Sequence, residues 1–587
     1  MTNYQAGVGA TYPRFFKEEN MLHFIDFEVF AHDWLCVIIS PTHKTKQVIV
    51  NDRDQLKAYY DQYKDEIFAG YNIRRYDQYI FKSILLGFNP KDVNDWIIVK
   101  DLRGFDYSDL FMSKEVKLNI YDVMTTQDSL KKLEGFMGNN IEESGVDFNI
   151  QRSLTPKEIA QTIEYCTHDV EQTLLVFIHR KGDYHTNMAI LKAFNLPLSD
   201  IGKTKTQLAA AALGAVKQTH DDEFELEFPH TLQLDKYKEV QSWYINPANR
   251  DYKKTLGDKD NPYYVFDVPH IFAWGGLHGA RRNYIEEGQF LNMDVRSYYP
   301  SLMIKYGWCS RNIPDPKRYE WIYNERVRYK AEKNPLQAPY KEVLNFTYGG
   351  SKDEYNPLYD PRQANNVCVG GQLLLLDLME KLAPYCDIVQ TNTDGILVKL
   401  RNNKELVEKI AQEWMTRTGM VLEFDEFVKV IQRDVNNYII VAADGSYKAK
   451  GGVVKEQNKL DYDTPILNEA VKNYFIKGIP VEETINGCNE LIKFQQICRV
   501  SSSYSYAMHG LNRLSGKTFR VFASRDITDG GMFKVKDGGN PEKFANTSVN
   551  CFIVNGDVNG MSVPDKLDKD FYINVAKRQI NQFLGKE

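Results

Sequence analysis

Two aspartates, Asp294 and Asp394, lie next to apolar, strand-like segments and are candidate ligands for a divalent cation. Residues 289–302 begin as a short apolar strand that carries Asp294 at its end. Residues 392–395 read Asn-Thr-Asp-Gly between two β-rich runs, which predicts a hairpin with Asp394 at its tip. Hard cations such as Mg²⁺ prefer carboxylate oxygens. Each aspartate taken singly is also compatible with an ordinary turn, because Asp and Asp-Gly favour turns.

Asp26 and Glu28 form a second acidic pair. They are two residues apart in segment 21–40, whose alternation and aromatic content predict two strands. Residues i and i+2 of a strand point to the same face. Burying two carboxylates on one face costs free energy unless a positive charge lies between them. A divalent metal would satisfy both side chains.

Two predicted helices in the first third of the chain carry further candidates. Asn72 and Asp77 flank the start of one helix, and Tyr165 and Asp169 lie four residues apart on one face of another. Residues 155–158 read Thr-Pro-Lys-Glu, which predicts the N-terminal cap of the second helix. Taken singly, Asn72 and Asp77 are also explained as helix N-terminal residues that the helix dipole stabilises.

Basic side chains occur at regular spacing in two predicted helices that are joined around residues 334–335. Arg326 and Lys330 are four residues apart, as are Lys341 and Asn345, so each pair shares a helix face. A triphosphate needs several fixed cations, and helices that move inward can supply them. An exposed, merely solvated pair of helices is the alternative.

Paired glycines precede a basic pair in segment 272–289. Gly275 and Gly276 would allow a close approach of backbone to phosphate, and Arg281 and Arg282 could bind that phosphate. An exposed hairpin with a basic strand is the alternative interpretation.

Bulk composition predicts a soluble, multidomain protein. The chain has 587 residues, enough for about three or four domains, with 43% hydrophobic and 26% charged residues. No apolar run approaches the roughly 20 residues that span a bilayer, and residues 1–20 lack the apolar core of a signal peptide. We therefore expect a cytoplasmic protein without a membrane partner. The eight cysteines lack zinc-like spacing, which favours free thiols, and the net charge of -6 leaves a local basic groove possible.

Three acidic motifs, taken together, resemble those of the proofreading 3′-5′ exonucleases attached to DNA polymerases. In chain order they are Asp26-x-Glu28, Asn72-x-x-x-Tyr76-Asp77 and Tyr165-x-x-x-Asp169. Ser129-Leu130-x-x-Leu133 resembles a strand-binding motif of that family, with the hydroxyl near the 3′ end of a single strand. The resemblance implies that the four carboxylates hold two metal ions and that Tyr165 orients the attacking water.

Three later motifs resemble motifs A, B and C of family-B DNA polymerases, the class of many phage replicases. They are Asp294-x-x-Ser297-Tyr298-Tyr299-Pro300-Ser301, Lys341-x-x-x-Asn345-x-x-Tyr348-Gly349 and Thr393-Asp394, and a basic strand from Tyr447 to Gly452 follows. The resemblance implies that Asp294 and Asp394 hold two Mg²⁺ ions, for which Mn²⁺ can substitute. One ion would activate the primer 3′-hydroxyl, and the other would bind the triphosphate and stabilise the leaving pyrophosphate.

The same resemblance implies roles for the neighbouring side chains. Arg326, Lys330 and Lys341 would neutralise the triphosphate of a dNTP. Tyr299 would lie under the sugar and exclude a 2′-hydroxyl, with Asn345 and Tyr348 near the incoming base and sugar. The implied contacts to primer-template DNA are Ser129, Leu130, Gly275, Gly276, Arg281, Arg282, Tyr438, Lys448 and Lys450.

The implied fold is an α/β multidomain one, with an RNase H-like exonuclease domain followed by a right-hand polymerase of palm, fingers and thumb. The predicted divisions are 1–185 exonuclease, 186–288 connector and palm entry, 289–316 palm, 317–350 fingers, 351–452 palm, and 453–587 thumb and C-terminal region. In the last division, basic and aromatic side chains could line the path of the DNA backbone, namely Arg499, Tyr504, Tyr506, Arg513, Lys517 and Arg520.

The chain departs from the family pattern at several positions. Asn392 replaces the first aspartate of motif C, Gly395 replaces its last serine, and Ala273 replaces the connector tyrosine. Residues 436–438 read Asn-Asn-Tyr where a Lys-x-Tyr primer contact is expected, so Lys448 or Lys450 could replace that lysine. Because the second aspartate is the principal metal ligand of motif C in that family, we expect activity to survive the change at Asn392, with altered electrostatics in the site.

Motif spacing predicts a compact polymerase. Lys341 follows Asp294 by 47 residues, and Asp394 follows Lys341 by 53, which leaves little room for the insertions of protein-primed relatives. We therefore expect a primer-dependent replicase without intrinsic strand displacement. The alternatives are an exonuclease or repair protein with an inactive polymerase half, suggested by Asn392, and a non-catalytic factor that binds primer-template DNA.

Overall fold

The computed structural model describes residues 21–107 and 115–586. The first twenty residues of the predicted exonuclease domain and residue 587 of the predicted thumb lie outside the described residues. Within the described ranges, no helix is both long enough and apolar enough to cross a bilayer.

The N-terminal part is built on a five-stranded sheet whose order is β3-β2-β1-β4-β5. Its strands are β1 (Leu22–Val29), β2 (Trp34–Ser40), β3 (Thr45–Val50), β4 (Ile67–Gly70) and β5 (Asn119–Asp122). The pairs among β1, β2 and β3 are antiparallel, and β4 and β5 run parallel to β1. The predicted pair of strands is therefore confirmed, and β1, which carries Asp26 and Glu28, lies at the centre of the sheet.

Within residues 21–107 and 115–194, six α-helices accompany this sheet. They are α1 (Arg53–Tyr63), α2 (Asp77–Leu86), α3 (Pro90–Asn94), α4 (Gly104–Tyr107), α5 (Leu130–Met137) and α6 (Pro156–Phe194). A capping box of Thr155 and Glu158 starts α6, as the sequence predicts, and left-handed Asn195 ends it. Because α6 runs unbroken for 39 residues, the predicted boundary at residue 185 falls inside a helix. That helix connects the first sheet to the helices that follow.

A nine-stranded sheet forms the centre of the molecule, in the order β14-β13-β12-β9-β11-β10-β8-β7-β6. The strands are β6 (Tyr263–Val265), β7 (Val268–Ile271), β8 (His278–Ala280), β9 (Tyr284–Val295), β10 (Cys386–Asn392), β11 (Gly395–Leu400), β12 (Leu422–Asp434), β13 (Asn437–Val441) and β14 (Tyr447–Lys450). β9 is paired on one side with β11 and on the other with β12. The hairpin predicted around Asp394 is the β10–β11 connection.

In the described stretch 205–418, seven α-helices accompany this sheet. They are α7 (Lys205–Leu213), α8 (Lys238–Ile245), α9 (Tyr298–Lys305), α10 (Pro316–Ala331), α11 (Gln337–Lys352), α12 (Pro361–Leu382) and α13 (Lys404–Thr418). α10 and α11 are the two predicted basic helices, and they meet around residues 334–335 as expected. α12 is buried along most of its length and joins the largest core, which also includes Leu291 and Met293 of β9. That core fixes the strands that carry the acidic side chains.

The C-terminal part combines helices with two small sheets. Its helices are α14 (Pro465–Lys477), α15 (Val481–Gly487) and α16 (Lys569–Leu584). Its strands are β15 (Gln496–Arg499), β16 (Tyr506–His509), β17 (Asn512–Arg513), β18 (Thr518–Ala523), β19 (Met532–Val535), β20 (Glu542–Lys543) and β21 (Cys551–Ile553). The sheet orders are β15-β18-β21 and β17-β16-β19-β20. With these elements, the predicted α/β multidomain fold is confirmed.

Arg520 corrects one expectation for this region. Its side chain is fully buried, so it cannot line a DNA path. Its guanidinium instead donates to the carbonyls of Gly135 and Asn139 in the N-terminal part and to those of Val554 and Gly556 near the C-terminus. The sequence pattern of scattered basic residues could not distinguish this buried arginine from exposed ones.

Candidate active sites

The strand register of the nine-stranded sheet brings Asp294 and Asp394 together. Asp294 lies near the end of β9, and its partner across the ladder is Gly395, the first residue of β11. The carbonyl of Asp394 accepts a hydrogen bond from the backbone N–H of Val295 at 2.7 Å. Both aspartates line one cleft of about 330 Å³. The two acidic side chains that the sequence singled out separately therefore share one site.

Gly395, which stands where the family motif has serine, leaves room for the carboxylate of Asp294. A Cβ at position 395 would lie 2.0 Å from Asp294 Oδ1. Asp294 Oδ2 accepts a hydrogen bond from Asn292 Nδ2 at 2.7 Å. Sequence reasoning missed Asn292, although residues two apart in a strand share a face.

The electrostatics of the cleft disfavour two negative charges. Asp394 is exposed at the tip of its turn, but desolvation of its carboxylate by the cleft walls, together with the charge of Asp294, raises its pKa to about 6. Partial burial also raises the pKa of Asp294, and nearby Lys448 opposes that shift. Like charges that are close together and poorly hydrated are relieved by a cation. The carboxylate oxygens of such a pair are suitable ligands for a hard divalent ion.

Arg326 of α10 is a buried cation at the same cleft. Its side chain is only 7% exposed, and its guanidinium donates to the hydroxyl of Ser297. Its Nε is buried and has no hydrogen-bond partner among the described residues. Buried N–H groups without an acceptor are rare in native proteins. An anion bound in the cleft would supply the missing acceptor.

Glu423 of β12 is a site residue that no sequence motif marked. It faces Asp294 across the β9–β12 ladder and lines the same cleft. Its carboxylate lies 2.7 Å from Arg296 Nε and 3.5 Å from Lys330 Nζ. The predicted triphosphate contact Lys330 is therefore paired with a carboxylate of the central sheet, and an incoming anion would compete with that ion pair.

A second cleft of about 310 Å³ adjoins the first and shares Arg326 and Asp394 with it. Its lining includes three more of the predicted nucleotide contacts, namely Tyr299, Lys341 and Asn345. Tyr348 lies against Tyr299, with ring centroids 4.4 Å apart, which fixes the orientation of the Tyr299 ring. All of the side chains expected to touch a nucleotide therefore lie in or directly beside the two clefts.

Three of the predicted DNA contacts lie close to the aspartates. Tyr438 and Lys448 line the cleft of Asp294, and Lys448 Nζ is 2.7 Å from Asp425 in β12. Lys450 is paired through its backbone with Tyr438 in the β13–β14 ladder. Lys448 is thus already balanced by a carboxylate, whereas no ion pair joins Lys450 to another side chain in the part of the chain that the structure describes.

The paired glycines and arginines have different surroundings. Gly275 borders open space, whereas a Cβ on Gly276 would lie 2.7 Å from Thr393 Oγ1. Arg281 donates from Nε to a carbonyl oxygen of β10 at 2.7 Å, and Arg282 donates to a loop carbonyl before β6 at 2.9 Å. The need for glycine at position 276 is therefore explained by the nearby hairpin, and Arg281 braces the sheet.

The four acidic residues of the exonuclease-like motifs converge on β1. Asp77, at the first turn of α2, accepts a hydrogen bond from the backbone N–H of Phe27 at 3.3 Å. Burial and neighbouring carboxylates raise the pKa of Asp26 to about 7 and hold those of Glu28 and Asp77 well above their usual range. Burial raises the pKa of Asp169 to about 6. Four crowded carboxylates with raised pKa values are the donor set that divalent cations neutralise.

Lys131 is a cation that lies within this second site. It forms ion pairs with Asp169 and, at 3.2 Å, with Glu134, whose side chain is fully buried. Its Nζ also lies 4.6 Å from the centroid of the Tyr165 ring. Lys131 lies within the motif Ser129-Leu130-x-x-Leu133, but no local pattern indicates its role, because the contact to Asp169 joins residues far apart in the chain.

Ser129 and Leu130 start α5 as predicted. The hydroxyl of Ser129 accepts a hydrogen bond from the backbone N–H of Lys132 at 3.4 Å, which is an N-terminal cap. Leu130 is buried in the core beneath the helix. Both residues lie directly before Lys131, and therefore at the edge of the acidic site.

Comparison with known proteins identifies relatives that are similar to about a third of the chain. No protein-family model matches the chain. "DNA polymerase 1" of Saccharolobus solfataricus is 27% identical over 222 residues, which is 35% of this chain and 24% of that protein. "DNA polymerase 1" of Sulfurisphaera ohwakuensis is 26% identical over 201 residues, covering 33% of this chain and 22% of the relative.

A viral protein and a solved structure are also similar. The "DNA polymerase" of Acidianus bottle-shaped virus is 25% identical over 208 residues, or 32% of this chain and 30% of the viral protein. The family B DNA polymerase structure from Pyrobaculum calidifontis matches with a TM-score of 0.41 and 14% identity, over 96% of this chain and 78% of that one. The chain spans less than a third of the length of each of the three relatives matched by sequence. Over about a third of its length the chain is therefore similar in sequence to archaeal and viral proteins that are named DNA polymerases, in agreement with its motifs.

Proposed function

We propose that the chain is a template-directed, primer-dependent DNA polymerase with a 3′-5′ proofreading exonuclease, and that it is the replicase of a phage or a similar element. The observation that carries the proposal is the cleft in which Asp294 and Asp394 meet beside buried Arg326. A metal-bound nucleotide would supply both missing partners of this cleft. Its metal ions would neutralise the two carboxylates, and its phosphates would accept hydrogen bonds from the guanidinium.

Nucleotide addition is assigned to the first site. Asp294 and Asp394 would hold two Mg²⁺ ions, for which Mn²⁺ can substitute. When bound, the ions lower the pKa of the primer 3′-hydroxyl and neutralise the leaving pyrophosphate. Arg326 and Lys341 bind the triphosphate, and Lys330 exchanges its ion pair with Glu423 for a phosphate oxygen.

Selection of a deoxynucleotide is assigned to Tyr299. Its ring is held against Tyr348 and lines the cleft that also contains Asp394. A rigid aromatic ring under the sugar leaves no room for a 2′-hydroxyl. Asn345, on the exposed face of α11, is placed beside the incoming base and sugar.

Removal of a mispaired nucleotide is assigned to the second site. Asp26, Glu28, Asp77 and Asp169 would bind two metal ions around the scissile phosphate, and Tyr165 orients the attacking water. Ser129 and Leu130 bind the 3′ end of the single strand at the edge of this site. The crowding of the four carboxylates is the observation that supports this assignment.

Primer-template DNA is expected to run along the sheet edge formed by Tyr438, Lys448 and Lys450, with Gly275 and Arg282 next to the template. Tyr438 and Lys448 line the Asp294 cleft, Gly275 borders open space, and Arg282 is exposed. A polymerase encoded by a phage would act in the cytoplasm of its host.

A primer-extension gel with dNTPs and Mg²⁺ tests the proposal. We expect elongation of a paired primer and shortening of a single strand. Asp294→Ala should abolish elongation and spare shortening, and Asp26→Ala should do the reverse, so each variant is the folding control of the other. Shortening without elongation would instead support an exonuclease with an inactive polymerase half, and binding without turnover would support a non-catalytic DNA-binding factor.

A further inference from the structure

The turn that carries Asp394 contains a residue in an unfavourable backbone conformation. Thr393 has a φ of 54°, in the left-handed region. A β-branched side chain is rarely found there, because its Cβ substituents crowd the backbone. Such a conformation persists only where surrounding contacts determine it, and it often accompanies a functional site. The contacts around Thr393 therefore decide where the adjacent carboxylate of Asp394 points.

Three consecutive residues of the segment before and within β8 supply those contacts. The backbone N–H of Thr393 donates to the carbonyl of Leu277 at 2.8 Å. Thr393 Oγ1 lies 3.3 Å from His278 Nε2, within hydrogen-bonding distance. Asn392, the residue before Thr393, is paired with His278 in the β8–β10 ladder. Backbone and side chain of the strained residue are thus both held from one side.

Gly276 can lie against Thr393 because it has no side chain. A Cβ at position 276 would lie 2.7 Å from Thr393 Oγ1 and 2.9 Å from its Cγ2, too close for ordinary packing. The segment is itself anchored, because Gln372 of α12 donates from Nε2 to the carbonyls of Ala273 at 2.9 Å and Gly275 at 2.7 Å. Gln372 is buried, so water does not compete for these hydrogen bonds.

We propose that Gly276, Leu277 and His278 form a positioning element for Asp394, in which His278 holds the hydroxyl of Thr393. The inference rests on the proposed polymerase function of Asp394. His278 is a positioning residue, since it acts on Asp394 through Thr393. Releasing the turn lets the carboxylate of Asp394 move relative to Asp294, and a misplacement of about 1 Å at a reacting centre can cost about a hundredfold in rate. The predicted triphosphate contacts Arg326, Lys330 and Lys341 lie on α10 and α11, outside this turn.

Paired hydroxyl deletions provide the test. Thr393→Val keeps the shape of the side chain and removes the bond to His278. Thr391→Val is the matched control, because Thr391 Oγ1 is bonded to His270 Nε2 at 2.9 Å on the same strand, two residues before the turn. We expect Thr393→Val to lower kcat for single-nucleotide addition about tenfold with little change in KM for dNTP. Thr391→Val should leave both constants within about twofold, and exonuclease activity should be retained in both variants.

Substitutions of His278 test the same bond from its other side. His278→Leu should lower kcat about tenfold, whereas His278→Gln, which can place its amide nitrogen near the position of Nε2, should recover activity to within about threefold of the native protein. His278 also contacts the side chain of Asn392, so the double variant with Thr393→Val should be no slower than His278→Leu alone. Multiplying defects, an inactive Gln variant, or equal losses of kcat in Thr391→Val would overturn the proposal.

Metal binding separates this inference from the proposed function. Mn²⁺ binding can be titrated by electron paramagnetic resonance in a chain that carries Asp26→Ala and Asp169→Ala, so that the signal comes from the polymerase site. Adding Asp394→Asn to that chain shows the signal expected when Mn²⁺ binding at the polymerase site is lost. Thr393→Val should weaken Mn²⁺ binding at that site about tenfold, and Thr391→Val should not. If the native chain fails to extend a primer, the proposed function fails. Unchanged Mn²⁺ binding in Thr393→Val would overturn the positioning role whether or not the chain extends a primer.

Discussion

Arg520→Met is expected to destabilise the contact between the N-terminal and C-terminal parts without affecting DNA binding. The arginine is fully buried, and its five N–H groups face five acceptors, which are Gln495 Oε1 and the carbonyls of Gly135, Asn139, Val554 and Gly556. The five N–H groups of a guanidinium are therefore all satisfied. Methionine has a similar length and supplies none of these donors.

The magnitude follows from two opposing terms. Hydrogen bonds from a charged donor are worth about 1.5 kcal/mol each at the low end, so the five together contribute about 7 kcal/mol. Burial lowers the pKa of Arg520 from 12.5 to about 10. That shift corresponds to a cost of about 3 kcal/mol for keeping the guanidinium charged in the interior. The difference predicts that Arg520→Met lowers the free energy of unfolding by about 4 kcal/mol.

A chain with several domains unfolds in more than one step, so the loss of stability must be assigned to a region. Hydrogen exchange measured during urea denaturation gives the free energy of unfolding region by region. Protection should fall in residues 135–139 and 551–556. Arg513→Met is the control, since Arg513 is exposed and its guanidinium lies 4.3 Å from the Tyr506 ring. It should change stability by less than about 0.5 kcal/mol. A loss below about 1 kcal/mol for Arg520→Met, or a change of about one in the salt dependence of its DNA binding, would refute the reasoning.

Four further predictions concern the sites and the fold. Lys131→Met should lower the Mn²⁺ concentration that half-saturates strand shortening by a few-fold, because the ammonium competes with the ion for Asp169; an equal or higher concentration contradicts this. Tyr299→Val should raise incorporation of ribonucleotides about a hundredfold in competition assays, and unchanged selectivity contradicts a role in excluding the 2′-hydroxyl. Burial lowers the pKa of His270 to about 4. Between pH 6.5 and 4 the imidazole therefore binds a proton in the unfolded chain and not in the folded one, so the free energy of unfolding should fall by about 3 kcal/mol as the pH drops. His270→Gln should flatten this pH dependence in denaturation curves, and an identical pH profile contradicts the buried neutral state. Purified protein should not perform rapid rolling-circle synthesis, and long products from a circular template contradict the inference from motif spacing.

Local sequence patterns determined most of the elements that carry the sites. The alternation around Asp26 and Glu28, the cap of α6 and the hairpin at Asp394 were all predictable, because each depends on residues a few positions apart. Each motif is likewise a local pattern, and the order of the motifs along the chain indicated the relationship to DNA polymerases. Spacing along one strand or helix fixes which side chains share a face, and this information is present before folding.

Tertiary structure alone decided which charges are paired and which groups are buried. Lys131 meets Asp169, Lys330 meets Glu423, and Arg520 is enclosed by carbonyls from distant segments. The need for glycine at position 276 likewise arises from contact with Thr393. These features depend on contacts between residues far apart in the chain. Their free energies come from desolvation and from the geometry of the partner, and neither quantity is encoded by residue type at one position.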